Sequence, residues 1–296
     1  MAMAADTALN HPAAGALLAG AGSWGFWLLT RAAGCYAMVL LVLLVQQRSL
    51  IFPRPSETSI ADPGKTGGQI ITLERATAVY FPAADGKNTI VFFHGNGDQI
   101  GGVAAHLGAK LNDEEGLGFV GVEYPGYGIA PGSPSEEACV GAANSIIEHL
   151  LAPPPGGLGI PAKDIVLFGQ SIGCAVALHL AAAGIGKRLV LLSPFLSLEE
   201  MATALFPVVR PVLKRVPFML RDKFDNRAKA PSICAPTLVI HGTRDEIVPF
   251  GQGSALAKEI PGAQFRSYDM GHNDVFMNPH GRAVIGDITA FLRQRG

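Results

Sequence analysis

From about residue 68 onward, short apolar runs alternate with longer stretches of helical period. Ile70–Leu73 and Ala78–Phe81 read as an opening strand pair. Asn88–Phe93 ends at His94-Gly95-Asn96-Gly97, Leu117–Val122 at Tyr124-Pro-Gly-Tyr-Gly128, and Asp164–Phe168 at Gly169-Gln-Ser-Ile-Gly173. Arg188–Leu192 ends at Ser193-Pro194, Pro236–Ile240 at His241-Gly242, and Gln264–Tyr268 near Gly271-His272. The stretches at about 98–111, 135–151, 172–184, 251–260 and 279–294 have helical length. Near-continuous apolar strands suit a parallel sheet covered on both faces. Their alternation with helices predicts the α/β class: a mostly parallel, doubly wound sheet with helices on both faces. Ligands of such sheets bind beyond the carboxyl ends of the strands, where the polar and glycine-rich motifs fall.

Residues 196–232 break the rhythm, with Phe206-Pro207, Arg210-Pro211 and Val216-Pro217 set among apolar residues. Proline at that spacing forbids one long helix. The segment reads as a small cap-like helical excursion over the ligand edge, with a plain surface connection as the alternative.

The N-terminal part has a different pattern. Residues 12–45 carry one charge, Arg31, and Tyr36–Val45 is unbroken apolar sequence. A helix over Trp24–Val45 would be ~33 Å long, enough to cross a bilayer core. The predicted organisation is therefore a membrane anchor with its flank over 1–48 and a catalytic domain over 49–296. A cleaved secretory signal is the competing reading. Against it, no Lys or Arg precedes the apolar run, and Gln46-Gln47-Arg48 follows in place of a small-residue cleavage site. Arg48, Arg54 and Lys65 follow the span while Asp6 alone precedes it, so the positive-inside rule puts the larger domain on the cytosolic side. The absence of an N-x-S/T sequon agrees with that side.

Composition narrows the function classes. Net charge is −1 with no strongly basic stretch, which leaves no electrostatic footprint for nucleic acid. The cysteines at 35, 139, 174 and 234 form no CxxC pair, so neither a disulfide nor a zinc framework is expected. Cys35 and Cys174 read as small buried hydrophobes.

The chemistry gathers after the strands. Gly169-Gln-Ser-Ile-Gly173 follows a β-rich run and precedes the small-residue helical stretch Cys174–Ala183. A sharp strand-to-helix turn there would expose the hydroxyl of Ser171 as a nucleophile. A serine needs a positioned base, and His272, after the last strand, is the best placed. His106, His149 and His179 fall in helices, His280 in a terminal turn, and His94 and His241 at strand ends suit structural hydrogen bonding. The base needs a carboxylate to fix its tautomer. Asp245 fills that role, with Glu246 as rival and Asp274 more distant. Acyl transfer also needs two N–H donors for the oxyanion. Ile172, after the nucleophile, supplies one, and Asn96 in the loop after the third strand the other, with Gly97 next.

Phe93-His-Gly-Asn-Gly-Asp98, Val122-Glu-Tyr-Pro-Gly-Tyr-Gly128, Gly169–Gly173, and His241–Pro249 with Gly271-His-Asn-Asp274 together carry a likeness over about 50–295. There the chain resembles the α/β-hydrolase superfamily. It is most similar to the single-pass, membrane-anchored branch that includes protein depalmitoylases and bud-emergence-related hydrolases. Leu50-Ile-Phe-Pro53 also looks like that branch. The resemblance implies that Ser171, Asp245 and His272 align with the triad. It also implies hydrolysis of a carboxylic ester or thioester of a lipid or acylated protein through an acyl-enzyme, without a cofactor. The chain departs from the branch in two places: Gly128-Ile-Ala-Pro replaces a motif where Ser is frequent, and the cysteine-rich N-terminus of the depalmitoylases is missing. A serine peptidase on the same fold and a non-catalytic binding protein remain as alternatives.

Overall fold

A computed structural model of the chain describes residues 12–54, 62–276 and 280–294. The chain divides into two compact units, Met1–Gln47 and Arg48–Gly296. The first is built on helix α1, which runs over Pro12–Ile51, well beyond the expected Trp24–Val45. Ala and Leu before that core, and Gln, Arg and Leu after it, are good helix formers, so nothing stops the helix at Val45. Phe26–Ile51 is long and apolar enough to cross a membrane, and Phe26, Leu29 and Val45 turn their side chains outward. Cys35 is exposed on this helix, contrary to the expected buried site, because the helix shows its apolar residues all round. The guanidinium of Arg31 sits 3.6 Å over the ring of Trp27, a cation–π contact.

The second unit is one eight-stranded sheet. Its strands are β1 (Gln69–Thr72), β2 (Thr77–Phe81), β3 (Thr89–Phe93), β4 (Gly118–Glu123), β5 (Ile165–Gln170), β6 (Arg188–Leu192), β7 (Thr237–Gly242) and β8 (Gln264–Tyr268). Their spatial order is β1-β2-β4-β3-β5-β6-β7-β8. β1–β2 and β2–β4 pair antiparallel, and every later pairing is parallel. The helices are α2 (Ala105–Glu115), α3 (Glu136–Leu151), α4 (Gly173–Ala182), α5 (Leu198–Leu205), α6 (Arg210–Leu213), α7 (Asn226–Lys229), α8 (Phe250–Glu259) and α9 (Gly281–Arg293).

Alternation along the central strands divides the core in two. Val91 and Phe93 of β3 pack with Ile146 of α3, Val176 of α4 and Leu256 of α8. Ile90 and Phe92 pack with Leu107 and Leu111 of α2 and with Val284 and Phe291 of α9. Both faces of the sheet are therefore covered, which explains strands that read as unbroken apolar runs.

The helix expected to begin near residue 98 begins later. Residues Ile100–Ala104 form a wide π-type turn, in which Gly102 has a non-helical ψ of −123°, before α2 starts regularly at Ala105. In the 196–232 segment the prolines open short helical pieces: Pro207, Pro211 and Pro217 each stand in the first positions of a turn or helix. Proline is tolerated there because the first helical N–H groups have no intrahelical acceptor. The segment exposes Leu205, Phe206, Val208 and Phe218.

Candidate active site

Parallel strands β3, β5 and β7 direct their carboxyl ends, and the loops that follow, to one edge of the sheet. Ser171 directly follows β5 and has φ of +52°. That left-handed conformation is strained for a non-glycine residue. It is held by Ser171 N–H donating to Leu192 O at 2.8 Å and by Cys174 N–H donating to Ser171 O at 3.0 Å. The turn requires glycine at 173, because a Cβ there would lie 2.0 Å from the Phe93 carbonyl oxygen. Ile172 leads directly into α4. Cys174 is fully buried and its thiol donates to Gly169 O at 3.1 Å. Burial pushes that thiol far above its ordinary range, so it is an inert core group, as expected from sequence.

Asp245 and His272 come together. His272 Nδ1 lies 2.7 Å from Asp245 Oδ2. With a carboxylate as partner, Nδ1 carries the proton, and the neutral ring keeps its basic lone pair on Nε2. The other Asp245 oxygen, Oδ1, accepts N–H bonds from Ile247 at 3.0 Å and Val248 at 2.7 Å. Burial opposes ionisation of Asp245, but hydrogen bonds from His241 and His272, the charge of His272 and the Val248 N–H hold its carboxyl far below the usual range. Glu246 is exposed. Asp274 is occupied elsewhere, accepting Gly271 N–H at 2.9 Å.

His241 is the residue whose part sequence reasoning understated. Its Nε2 lies 3.0 Å from Val248 O and 3.3 Å from Asp245 Oδ2. The carbonyl only accepts, so Nε2 is the protonated nitrogen. The signal was present as a histidine at the strand end four residues before the acid, in His241-Gly-Thr-Arg-Asp245.

The loop His94–Asp98 runs beside Ser171. A Cβ on Gly95 would stand 3.7 Å from Ser171 Cβ. Asp98 N–H donates to Gly95 O at 3.4 Å, and Gly97 takes φ of +74° at the third position of that turn, where glycine is favoured. Beneath the loop, His94 Nε2 meets Glu123 Oε1 at 2.9 Å and Nδ1 meets Gly95 O at 2.9 Å. Burial lowers the His94 pKa, but the hydrogen bond and charge of Glu123 outweigh it, and the net shift is upward. Glu123 Oε2 also accepts Ile100 N–H at 3.1 Å, and Tyr124 OH donates to His94 O at 2.7 Å. Asn96 is held by its side chain: Tyr127 OH donates to its Oδ1 at 2.6 Å, and its Nδ2 donates to the Ile51 carbonyl. Among the described residues no group of three or more His, Cys, Asp or Glu side chains is arranged to hold a metal ion.

The comparisons with known proteins agree with this architecture. A family model described as the alpha/beta hydrolase family matches residues 90–237, a span that contains Asn96 and Ser171 and ends before Asp245 and His272. An uncharacterized protein of Mycobacterium tuberculosis is 32% identical over 273 residues, 86% of this chain and 90% of that protein. Alpha/beta hydrolase domain-containing protein 17C of Mus musculus is 30% identical over 198 residues, 65% of this chain and 57% of its own length. The match thus spans little more than half of the mouse relative. An esterase of Pyrococcus furiosus has the same fold, with a TM-score of 0.62 at 16% identity over 81% of this chain and 97% of that one. Sheet order, elbow and relatives concur, and the chain belongs to the α/β-hydrolase family.

Proposed function

We propose that the protein is a serine hydrolase of carboxylic ester or thioester bonds, with Ser171 as nucleophile, His272 as base and Asp245 as the orienting acid. The observation that carries this reading is the 2.7 Å bond between His272 Nδ1 and Asp245 Oδ2, formed by loops on the edge where the strained Ser171 follows β5. In the proposed reaction Ser171 Oγ attacks the acyl carbon while His272 Nε2 takes its proton. Asp245 stabilises the resulting imidazolium. Backbone N–H groups of Ile172 and Asn96 receive the oxyanion, and removal of one such donor typically costs about 10²–10³ in rate. His272 then protonates the departing alcohol or thiol, and water enters by the reverse route to release the acid.

Two apolar features support a substrate class. Exposed Leu205, Phe206, Val208 and Phe218, together with the apolar helix α1, favour a lipid or acylated protein over a small soluble ester. In this reading α1 is a single-pass anchor and the hydrolase domain faces the cytosol.

Labelling with a fluorophosphonate probe tests the chemistry. Wild type should label and Ser171→Ala should not; a folded wild type that stays unlabelled would leave a binding protein on this fold. Protease protection of sealed vesicles tests the topology. A mature protein that begins after Val45 would make the helix a cleaved signal.

A further inference from the structure

Leu50-Ile-Phe-Pro53 stood out in the sequence without a duty. In the structure the carbonyl of Ile51, the last residue of α1, accepts the Asn96 Nδ2 donor. Phe52 behind it is buried, with its ring edge-on to Phe224 at a centroid distance of 6.1 Å. On its other side Asn96 receives the Tyr127 hydroxyl at 2.6 Å. Tyr127 is itself immobilised: it is 1% exposed, its ring packs against Tyr124 at 5.7 Å and His94 at 5.9 Å, and its N–H donates to Tyr124 O at 2.9 Å. The Asn96 side chain is thus gripped at both ends of its amide by groups 31 and 45 residues away in sequence.

Pinning both the oxygen and the nitrogen restrains both side-chain torsions and anchors the Cα from which the Asn96 peptide extends. An oxyanion donor works only when it stands roughly 2.7–3.1 Å from the developing charge. A displacement of about 1 Å in such a site can lower the rate ~10²-fold. A simple satisfied hydroxyl would need only one acceptor, and solvent is a sufficient partner for an amide at an exposed loop. Here the loop runs beside Ser171, close enough that a Cβ added to Gly95 would meet the Ser171 Cβ at 3.7 Å.

We propose that Tyr127 and the Ile51 carbonyl are positioning groups that clamp the Asn96 side chain and so aim its backbone N–H at the substrate oxyanion. The proposal rests on the serine-hydrolase reading. It gives the Tyr124-Pro-Gly-Tyr127 turn and the Leu50–Pro53 segment one shared task.

The test uses the full-length protein and p-nitrophenyl acetate. Tyr127→Phe keeps the ring and removes only the hydroxyl. It should lower kcat about tenfold with KM within about twofold, a fraction of the loss expected for complete removal of a donor. Fluorophosphonate labelling of that variant should slow in parallel yet reach completion. Asn96→Ala retains the backbone N–H but loses both grips, and should show a similar loss. The double variant should be no worse than the stronger single variant, because both remove one coupled device. Unchanged kcat in Tyr127→Phe with a lowered Tm would mean a structural hydroxyl and overturn the proposal. Multiplicative losses in the double variant would overturn it too. A folded wild type that never labels would instead bring down the underlying serine-hydrolase reading.

Discussion

His241 Nε2 lies 3.3 Å from Asp245 Oδ2, the same oxygen that His272 Nδ1 meets at 2.7 Å. One carboxylate oxygen thus serves two histidines, while Oδ1 is taken by two backbone N–H groups. Every donor to Asp245 is directed at its ionised form, which accounts for the depressed pKa.

Replacing His241 by Phe removes one of these donors. A hydrogen bond to a charged group contributes about 1.5–3 kcal/mol, and stability should fall by that order in urea unfolding. The kcat for a p-nitrophenyl ester should fall by about tenfold, because the acid that orients His272 is less firmly held. Gly253→Ala offers an independent approach, since its Cβ would stand 2.0 Å from His241 Nδ1 and displace the ring. If both variants keep wild-type kcat, His241 has no part in holding Asp245. The sign of the acid effect is fixed: Asp245 titrates below the ordinary carboxylate value of about 3.9, so its contribution is present above that pH and is lost as pH falls through the folded value.

The elbow stores strain at Ser171. With φ of +52°, a residue bearing Cβ is disfavoured by roughly 1–2 kcal/mol relative to glycine. Both Ser171→Gly and Ser171→Ala should be inactive, but the glycine variant should be the more stable by about 1 kcal/mol in denaturant unfolding. Equal stabilities would show that the turn is relaxed.

A different pH dependence is expected from the buried His94–Glu123 pair. Its raised histidine pKa means that the stabilisation is complete below the unfolded value of about 6.5 and is lost as pH rises through the folded value. Urea midpoints measured from pH 6 upward should therefore decline in wild type. Glu123→Gln should start lower and flatten that decline. A decline of the same size in both would assign it to other groups.

Truncation separates anchoring from support. Deleting residues 2–47 spares Arg48, which pairs with Asp222 at 3.2 Å, together with the Ile51 carbonyl and Phe52. That variant should leave membranes and keep its turnover of a short ester. Deleting 2–53 removes a buried phenylalanine, a loss of about 3–5 kcal/mol, and should lower both stability and kcat. Indistinguishable behaviour of the two would show that residues 48–53 add nothing to the domain.

The central strands and their order of appearance were readable because each is buried on both faces, so that Thr89–Phe93 or Arg188–Leu192 shows as one apolar run. The elbow was readable because its turn, helix and glycine spacing are local. Contacts that cross the sequence left no such trace. Nothing near Asn96 announces a partner at Ile51, and the choice of Asp245 over Glu246 depends on the direction of a turn, visible only once Ile247 and Val248 N–H are seen to fold back on the carboxylate. Cys35 was misread because an apolar run was equated with a protein interior, whereas α1 turns its apolar side chains outward.

The order of strands has a consequence for how the protein is made. β3 and β5 sit side by side at the centre, while β7 and β8, which precede the Asp245 and His272 loops, are the last two strands to be synthesised and occupy one edge. A growing chain therefore presents the apolar helix first, then the serine elbow, and the residues that would activate that serine only near the end of translation. On the proposed mechanism, premature termination between residues 171 and 272 yields a chain with a nucleophile but no base. Such fragments are silent rather than partially active, and hydrolysis becomes a direct report of completed synthesis.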